Sequence, residues 1–222
     1  MGIFIVYNYD MTKGTMTLPC KRCGEFNTIN TWYNLNGKNN KKQKKLLLNG
    51  ELFKYKCKRC KNVILVSYEM MYHDVKNKVI VYLDPQSQHT EQIKHKIDLQ
   101  RKELGSAYRF RIVNSVKKLQ EKANIFEFGF DDRILELIKL EAVLYLKEKS
   151  PQLRVNTILF EYKHKKIIFN VFGFDLERDS EFSFPFTMTI NEYNFNKKII
   201  HNKIILKEAL IVDSQWARQM IF

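Results

Sequence analysis

The four cysteines of this chain stand in two pairs of identical inner spacing, Cys20-Lys21-Arg22-Cys23 and Cys57-Lys58-Arg59-Cys60. Two residues between cysteines let both thiolates of a pair close on one ion. Two such pairs complete a tetrahedral site with no open position for chemistry. Cys20, Cys23, Cys57 and Cys60 are therefore expected to hold one structural Zn²⁺. Any fold this chain adopts must bring the two pairs together. The 33 residues between Cys23 and Cys57 exceed the roughly 15 to 20 of a compact two-pair site, so an inserted hairpin or helix is expected there.

At 222 residues the chain can bury a real core, and its length admits one large domain or two small ones. We read two: a β-rich, zinc-ribbon-like module over 1–84 and an α+β domain over 103–222, joined by a polar linker over 85–102. The linker expectation rests on Pro85-Gln-Ser-Gln-His-Thr-Glu-Gln92, followed only by Ile93 and Ile97, which suggest a short helix. No apolar run approaches the roughly 20 residues of a membrane helix. None has the shape of a signal peptide, because Ile3-Phe-Ile-Val6 is cut short by Asn8 and Asp10. The expected location is the cytoplasm, where thiols stay reduced and free to hold metal.

Taken in order, residues 3–7 are β-branched or aromatic and predict a short strand. Gly24 directly follows Cys23, as a tight knuckle requires. Phe26, Ile29, Trp32 and Leu35 are expected to line a core. The cation run Lys38 to Lys45 predicts a solvated loop or helix end, and Leu46 to Gly50 a short helix closed by glycine. Alternation over Glu51 to Cys57 predicts a strand with Phe53, Tyr55 and Cys57 on one side and Lys54 and Lys56 on the other. Val63 to Ser67 and Val79 to Leu83 are also expected strands, and Tyr68 to Asp74 a helical turn. Tyr108, Phe110 and Ile112 alternate with Arg109 and Arg111 as a strand with one wet face. Ser115 is placed to cap a helix through Val116, Leu119, Ala123 and Phe126.

Asp131 or Asp132 opens the longest helix, expected to be central and nearly buried until Ser150-Pro151 ends it. Paired acids suit general acid and base work, but every helix start calls for a cap, and capping explains both residues. Val155 to Tyr162 and Lys166 to Phe172 predict a hairpin. Phe182, Phe184, Phe186, Met188 and Ile190 alternate as a strand that Pro185 restricts to a sheet edge. Asn191 to Leu210 is expected to be helical, with Asp213 capping a final turn.

The double cysteine pair, Leu47-Leu-Asn-Gly-Glu-Leu-Phe-Lys-Tyr-Lys-Cys-Lys-Arg-Cys60, Met71-Tyr-His-Asp74 and Val79-Ile-Val-Tyr-Leu83 together resemble the bacterial CpXC domain. The resemblance continues through Tyr108 to Val113 and Glu121 to Lys139, and extends to Val212-Asp-Ser-Gln-Trp-Ala217. The family takes its name from a proline after the first cysteine of a pair. Lys21 and Lys58 stand at that position here, and all four ligands are kept. The resemblance implies zinc binding and supplies no catalytic residues.

Charge is concentrated around the cysteines. Of a net +14, the segment from Lys13 to Lys61 contributes 13 Lys or Arg against only Glu25 and Glu51. Lys41, Lys42, Lys44, Lys45, Lys54, Lys56, Lys58 and Arg59 are the candidate contacts to a nucleic-acid backbone. A bland account is a solvated, lysine-rich surface. No phosphate loop, nucleophile motif or metalloprotease helix is present, which argues against an enzyme. His73-Asp74 is the one adjacent pair able to tune a base, and turn capping or surface exposure is its ordinary use. Two partner classes remain: nucleic acid bound by the basic zinc module, or a protein bound by an adaptor without catalysis, whose C-terminal α+β domain, with the aromatic-rich strand from Phe182 to Phe186, is the recognition part.

Overall fold

The fold is taken from a computed structural model that describes residues 12–221. The strand expected over 3–7 lies outside the described residues. The class is α+β, as expected, and the chain divides into two compact units, Met1–Ala123 and Asn124–Phe222.

In the first unit two small hairpins carry the cysteine pairs. Strands β1 (Gly14–Pro19) and β2 (Phe26–Thr31) pair antiparallel, with Pro19 opposite Phe26. Strands β4 (Lys54–Lys56) and β5 (Val63–Leu65) do the same, with Lys56 opposite Val63. Between the hairpins lie β3 (Asn34–Asn36) and α1 (Lys41–Leu48), so the long spacing holds a strand and a helix. Lys41 to Lys45 of the cation run thus form the first turn of α1, and Gly50 adopts the expected left-handed conformation with φ +73°.

Behind the hairpins stands a four-stranded sheet in the order β3-β6-β7-β8, built with β6 (Met70–Asp74), β7 (Val79–Leu83) and β8 (Arg109–Val113). β6 and β7 are antiparallel, while β3 with β6 and β7 with β8 are parallel. Parallel neighbours need a crossover of a dozen residues or more. The first contains α1; the second is α2 (Thr90–Leu104), which buries Ile93 and Ile97.

Side chains alternate across the sheet. On one face Tyr82 Oη donates to Gln100 of α2 at 2.7 Å, and the Arg101 guanidinium lies 5.5 Å from the Phe110 ring centroid. On the other, Lys44 of α1 reaches Asp74, and Gln120 of α3 (Val116–Glu127) donates to Leu48 O at the end of α1. Ser115 caps α3 as expected, accepting from Lys118 N.

Four expectations change here. The stretch 85–102, expected as a linker with a short helix, contains most of the crossover helix α2, and the division between units falls at Ala123. Tyr68 to Asp74 leads into a central strand, since its residues are covered from both sides and do not alternate. β8 has no wet face: Arg111 is fully buried and donates Nη1 to Phe110 O. Phe26 is 63% exposed, whereas Ile29, Trp32 and Leu35 are core as expected.

The second unit sets an antiparallel sheet of β9 (Leu153–Lys163), β10 (Lys166–Asp175) and β11 (Ser180–Thr189) beside α4 (Asp132–Lys149). Pro185 does sit on an edge strand, β11. Asp131 caps α4 by accepting from Arg133 N at 3.0 Å and grips the same guanidinium with both oxygens. The helix is buried only from Asp132 to Leu140; beyond that its residues are exposed or half-exposed. Helix α5 (Ile190–Lys203) begins at a Thr189–Glu192 capping box and stops short of the expected Leu210. Asp213 caps α6 (Ser214–Ile221), whose Trp216 and Ala217 pack with Leu137, Leu140 and Val212.

If 85–102 belongs to the core, Ile97→Ala should destabilise the protein by about 2–5 kcal/mol, the usual range for emptying such a site. Urea unfolding measures it. A change within about 0.5 kcal/mol, typical of surface positions, would restore the linker reading.

Candidate metal centre

Each cysteine pair occupies a six-residue loop, 20–25 or 57–62, and the two loops have the same backbone design. Cys20 N donates to Glu25 O and Gly24 N to Cys20 O, both at 2.8 Å; Cys57 N donates to Asn62 O at 2.9 Å and Lys61 N to Cys57 O at 3.0 Å. The fourth residue after each first cysteine must turn left-handed, at φ +73° for Gly24 and +60° for Lys61. Glycine adopts this freely, whereas lysine does so at a steric cost. The second knuckle is thus the more strained of the two.

These turns aim amides at sulfur. The amides of Cys60 and Arg59, with help from Asn27, pull the Cys57 thiol down to about 6. Those of Arg22 and Cys23 lower Cys20. At Cys23 the Glu25 amide favours the thiolate, but desolvation and the three other sulfurs outweigh it and push the thiol up to about 12. Four sulfurs this close do not all ionise without a cation among them.

The spacing fits such a cation. Cys20 Sγ lies 3.7 Å from Cys60 Sγ, and Cys23 Sγ 3.6 Å from Cys57 Sγ. Four thiolates at the 2.3 Å zinc–sulfur distance sit about 3.8 Å apart along the edges of a tetrahedron. All four thiols are unbridged, with Cys20 and Cys57 buried and Cys23 and Cys60 partly so. The four cysteines named from spacing therefore do come together as a group able to hold a metal ion.

Asn27 was not anticipated. Its Nδ2 approaches Cys57 Sγ at 3.6 Å and donates to Glu25 O at 2.7 Å, while its Oδ1 accepts from Lys58 N at 2.8 Å. Almost fully buried, it ties the first knuckle to the second. Tyr55 Oη makes a further link between hairpins by donating to Asn30 O at 2.6 Å. No spacing rule identifies either residue; an Asn within a strand gives no signal of what it will meet.

The basic residues separate into groups. Lys58 and Arg59 are exposed beside the centre, with Lys58 paired to Glu25 at 3.0 Å. Lys54 and Lys56 are exposed on the outer face of β4, and Lys54 is paired to Glu51 at 2.7 Å. Lys41, Lys42 and Lys45 are exposed on α1, a separate element from the hairpins. Lys44 is committed to Asp74 at 3.3 Å and is largely covered.

Asp74 and His73 form their hydrogen bonds with different partners. Neighbours in a strand point to opposite faces: His73 meets Tyr108 Oη at 3.1 Å, and Asp74 accepts from Tyr72 Oη, Lys44 Nζ and both nitrogens of Asn77. Desolvation would raise the Asp74 carboxyl, but the Asn77 and Lys44 contacts overcome it and hold the group below its usual range. A carboxyl lowered in the folded state stabilises at every pH above its unfolded value, near 4. That stability is lost as pH falls from there through the lowered folded value. Asp74→Asn should therefore cost about 3 kcal/mol at neutral pH, as breaking a buried pair does. The difference from wild type should shrink as the medium is acidified below about pH 4. Urea unfolding across pH checks this; a difference independent of pH would show that the ionised carboxylate is not what matters.

No helix among the described residues is long and apolar enough to cross a membrane. No curated protein and no solved structure matches the chain. A family model, described as CpXC protein, matches residues 18–139, which include all four cysteines and the whole four-stranded sheet. With more than half its length matched and the family's paired cysteines gathered at one point, the chain belongs to the CpXC family.

Proposed function

We propose that the cysteine centre is a structural zinc site in a reducing compartment, and that the basic surface it organises binds nucleic acid by the phosphate backbone. One observation carries this reading. Closing the four sulfurs within 3.6–3.7 Å across the pairs forces the two knuckle tips together, and each tip presents an exposed Lys-Arg: Lys21-Arg22 and Lys58-Arg59. Lys61 adds a fifth exposed cation. A divalent ion held by four thiolates leaves about −2, which these five and the single nearby acid, Glu25, more than balance. The cations thus exceed what the centre needs for neutrality.

Apolar groups lie among them. Phe26, beside the first knuckle, is 63% exposed. The outer face of the second hairpin sets Lys54 opposite Leu65 and Lys56 opposite Val63, with Leu65 and Val63 also exposed. A cationic surface with an exposed aromatic suits single strands, since every base offers a face to stack and every phosphate a charge. The alternative, a protein-binding adaptor, would use the same apolar residues and depend much less on salt.

Binding of single- and double-stranded DNA and RNA across a salt series separates the two. With four to six phosphate contacts, log affinity should fall against log salt with a slope of about −3 to −5. Lys56→Glu with Arg59→Glu should weaken binding across all sequences and flatten the slope by about 1–2 without changing preference, because phosphate contacts carry no sequence information. Affinity no tighter than about 100 μM at physiological salt, the weak limit of ordinary non-specific binding, would defeat the reading in favour of the adaptor.

A further inference from the structure

A second group of side chains able to hold a metal ion lies at the open end of the β6–β7 hairpin. Glu69 immediately precedes β6 and Asp84 immediately follows β7; Met70 pairs with Leu83, so the two acids face each other one step beyond the ladder. His89 stands at the N-cap position of α2, the helix into which β7 leads. One ligand atom from each of the three lies within 4.8 Å of the others, and His89 Nδ1 is 2.7 Å from Glu69 Oε1. The place is the carboxyl end of a parallel strand, where α/β sheets commonly bind ligands.

Ordinary structural roles explain part of this. Glu69 and His89 make an ion pair if the imidazole is protonated. Asp84 Oδ2 closes the start of α2 by accepting from His89 N at 3.2 Å and from Thr90 Oγ1 at 2.9 Å. The other oxygen of Asp84 is left over. Asp84 is only 1% exposed, and its Oδ1 is buried without a hydrogen-bond partner among the described residues. Buried carboxylate oxygens are ordinarily paired or bound to a metal, so the orphaned oxygen calls for a positive ligand, and no described residue hydrogen-bonds it.

We propose that Glu69, Asp84 and His89 form a site for a divalent first-row cation of the Mn²⁺ or Fe²⁺ class. Two carboxylates and one imidazole are a harder donor set than four thiolates and select a different ion. In an octahedron with bonds of about 2.1 Å, adjacent ligands are separated by about 3 Å, close to the Glu69–His89 spacing. Asp84 forms the floor, while Glu69 and His89 are each 19% exposed and form the rim. With three protein ligands the remaining coordination positions open to solvent, where water or an anionic oxygen can bind. The cysteine centre is closed and structural; this one is open.

Mn²⁺ is the suitable probe, because it has little affinity for thiolates and its free form is counted directly by electron paramagnetic resonance. Titrating the metal-loaded full-length protein should show one Mn²⁺ bound per chain. Glu69→Gln and His89→Gln should each weaken it at least tenfold while leaving the metal held by the cysteines unchanged. Both residues are at the rim, so the variants test the site even if Asp84→Asn, which disturbs the start of α2, fails to fold. Absence of Mn²⁺ binding below about 1 mM, an affinity too weak for a built site, would leave the plain ion-pair reading and overturn the proposal. Binding equally tight in both rim variants would place the ion elsewhere and overturn it as well.

Discussion

Four sulfurs drawn to one point are the constraint on which the first unit depends. Strands of three residues, such as β4 and β5, do not hold together alone in water. Here each hairpin is closed at its tip by a knuckle, and the knuckles meet through their sulfurs, through Asn27 and through the Tyr55–Asn30 bond. The amides that lower Cys20 and Cys57 prepare thiolates, and the raised Cys23 marks the repulsion among them. A cation at the centre would relieve that repulsion, and its binding would then be coupled to the folding of these hairpins.

The sheet behind the hairpins follows a different logic. Its parallel pairs require crossovers, and the crossovers place α1 and α2 on opposite faces. With both faces covered, β7 is buried at all five positions and β6 at four of five. Polar groups inside such a sheet need defined partners, which Asp74 finds in Lys44, Tyr72 and Asn77. At the strand ends, where backbone pairing stops, Glu69 and Asp84 are brought face to face by the register alone.

Features governed by local rules were legible in the sequence. The cysteine spacing named the four residues that meet, Asp131 and Asp213 cap the helices they precede, and the alternation from Phe182 to Met188 runs along an edge strand. Where burial comes from two sides, the local pattern disappears. Tyr68 to Asp74 lacks alternation because both faces are covered, so it resembled a helical turn. Arg111 alternates with apolar residues like a solvated side chain, yet α/β layering buries it. Helix α2 shows the converse: only Ile93 and Ile97 are buried, and the other thirteen positions, nearly all polar, disguise a core crossover as a linker. Asn27, and the group of Glu69, Asp84 and His89, are joined only by tertiary contact, which spacing does not encode.

The centre's claim to organise this unit rests on all four sulfurs holding a single ion. X-ray absorption at the zinc edge of the purified protein tests that most directly. The account predicts one shell of four sulfurs at about 2.3 Å with no lighter ligand. Nitrogen or oxygen in the first shell, or fewer than four sulfurs, would contradict it.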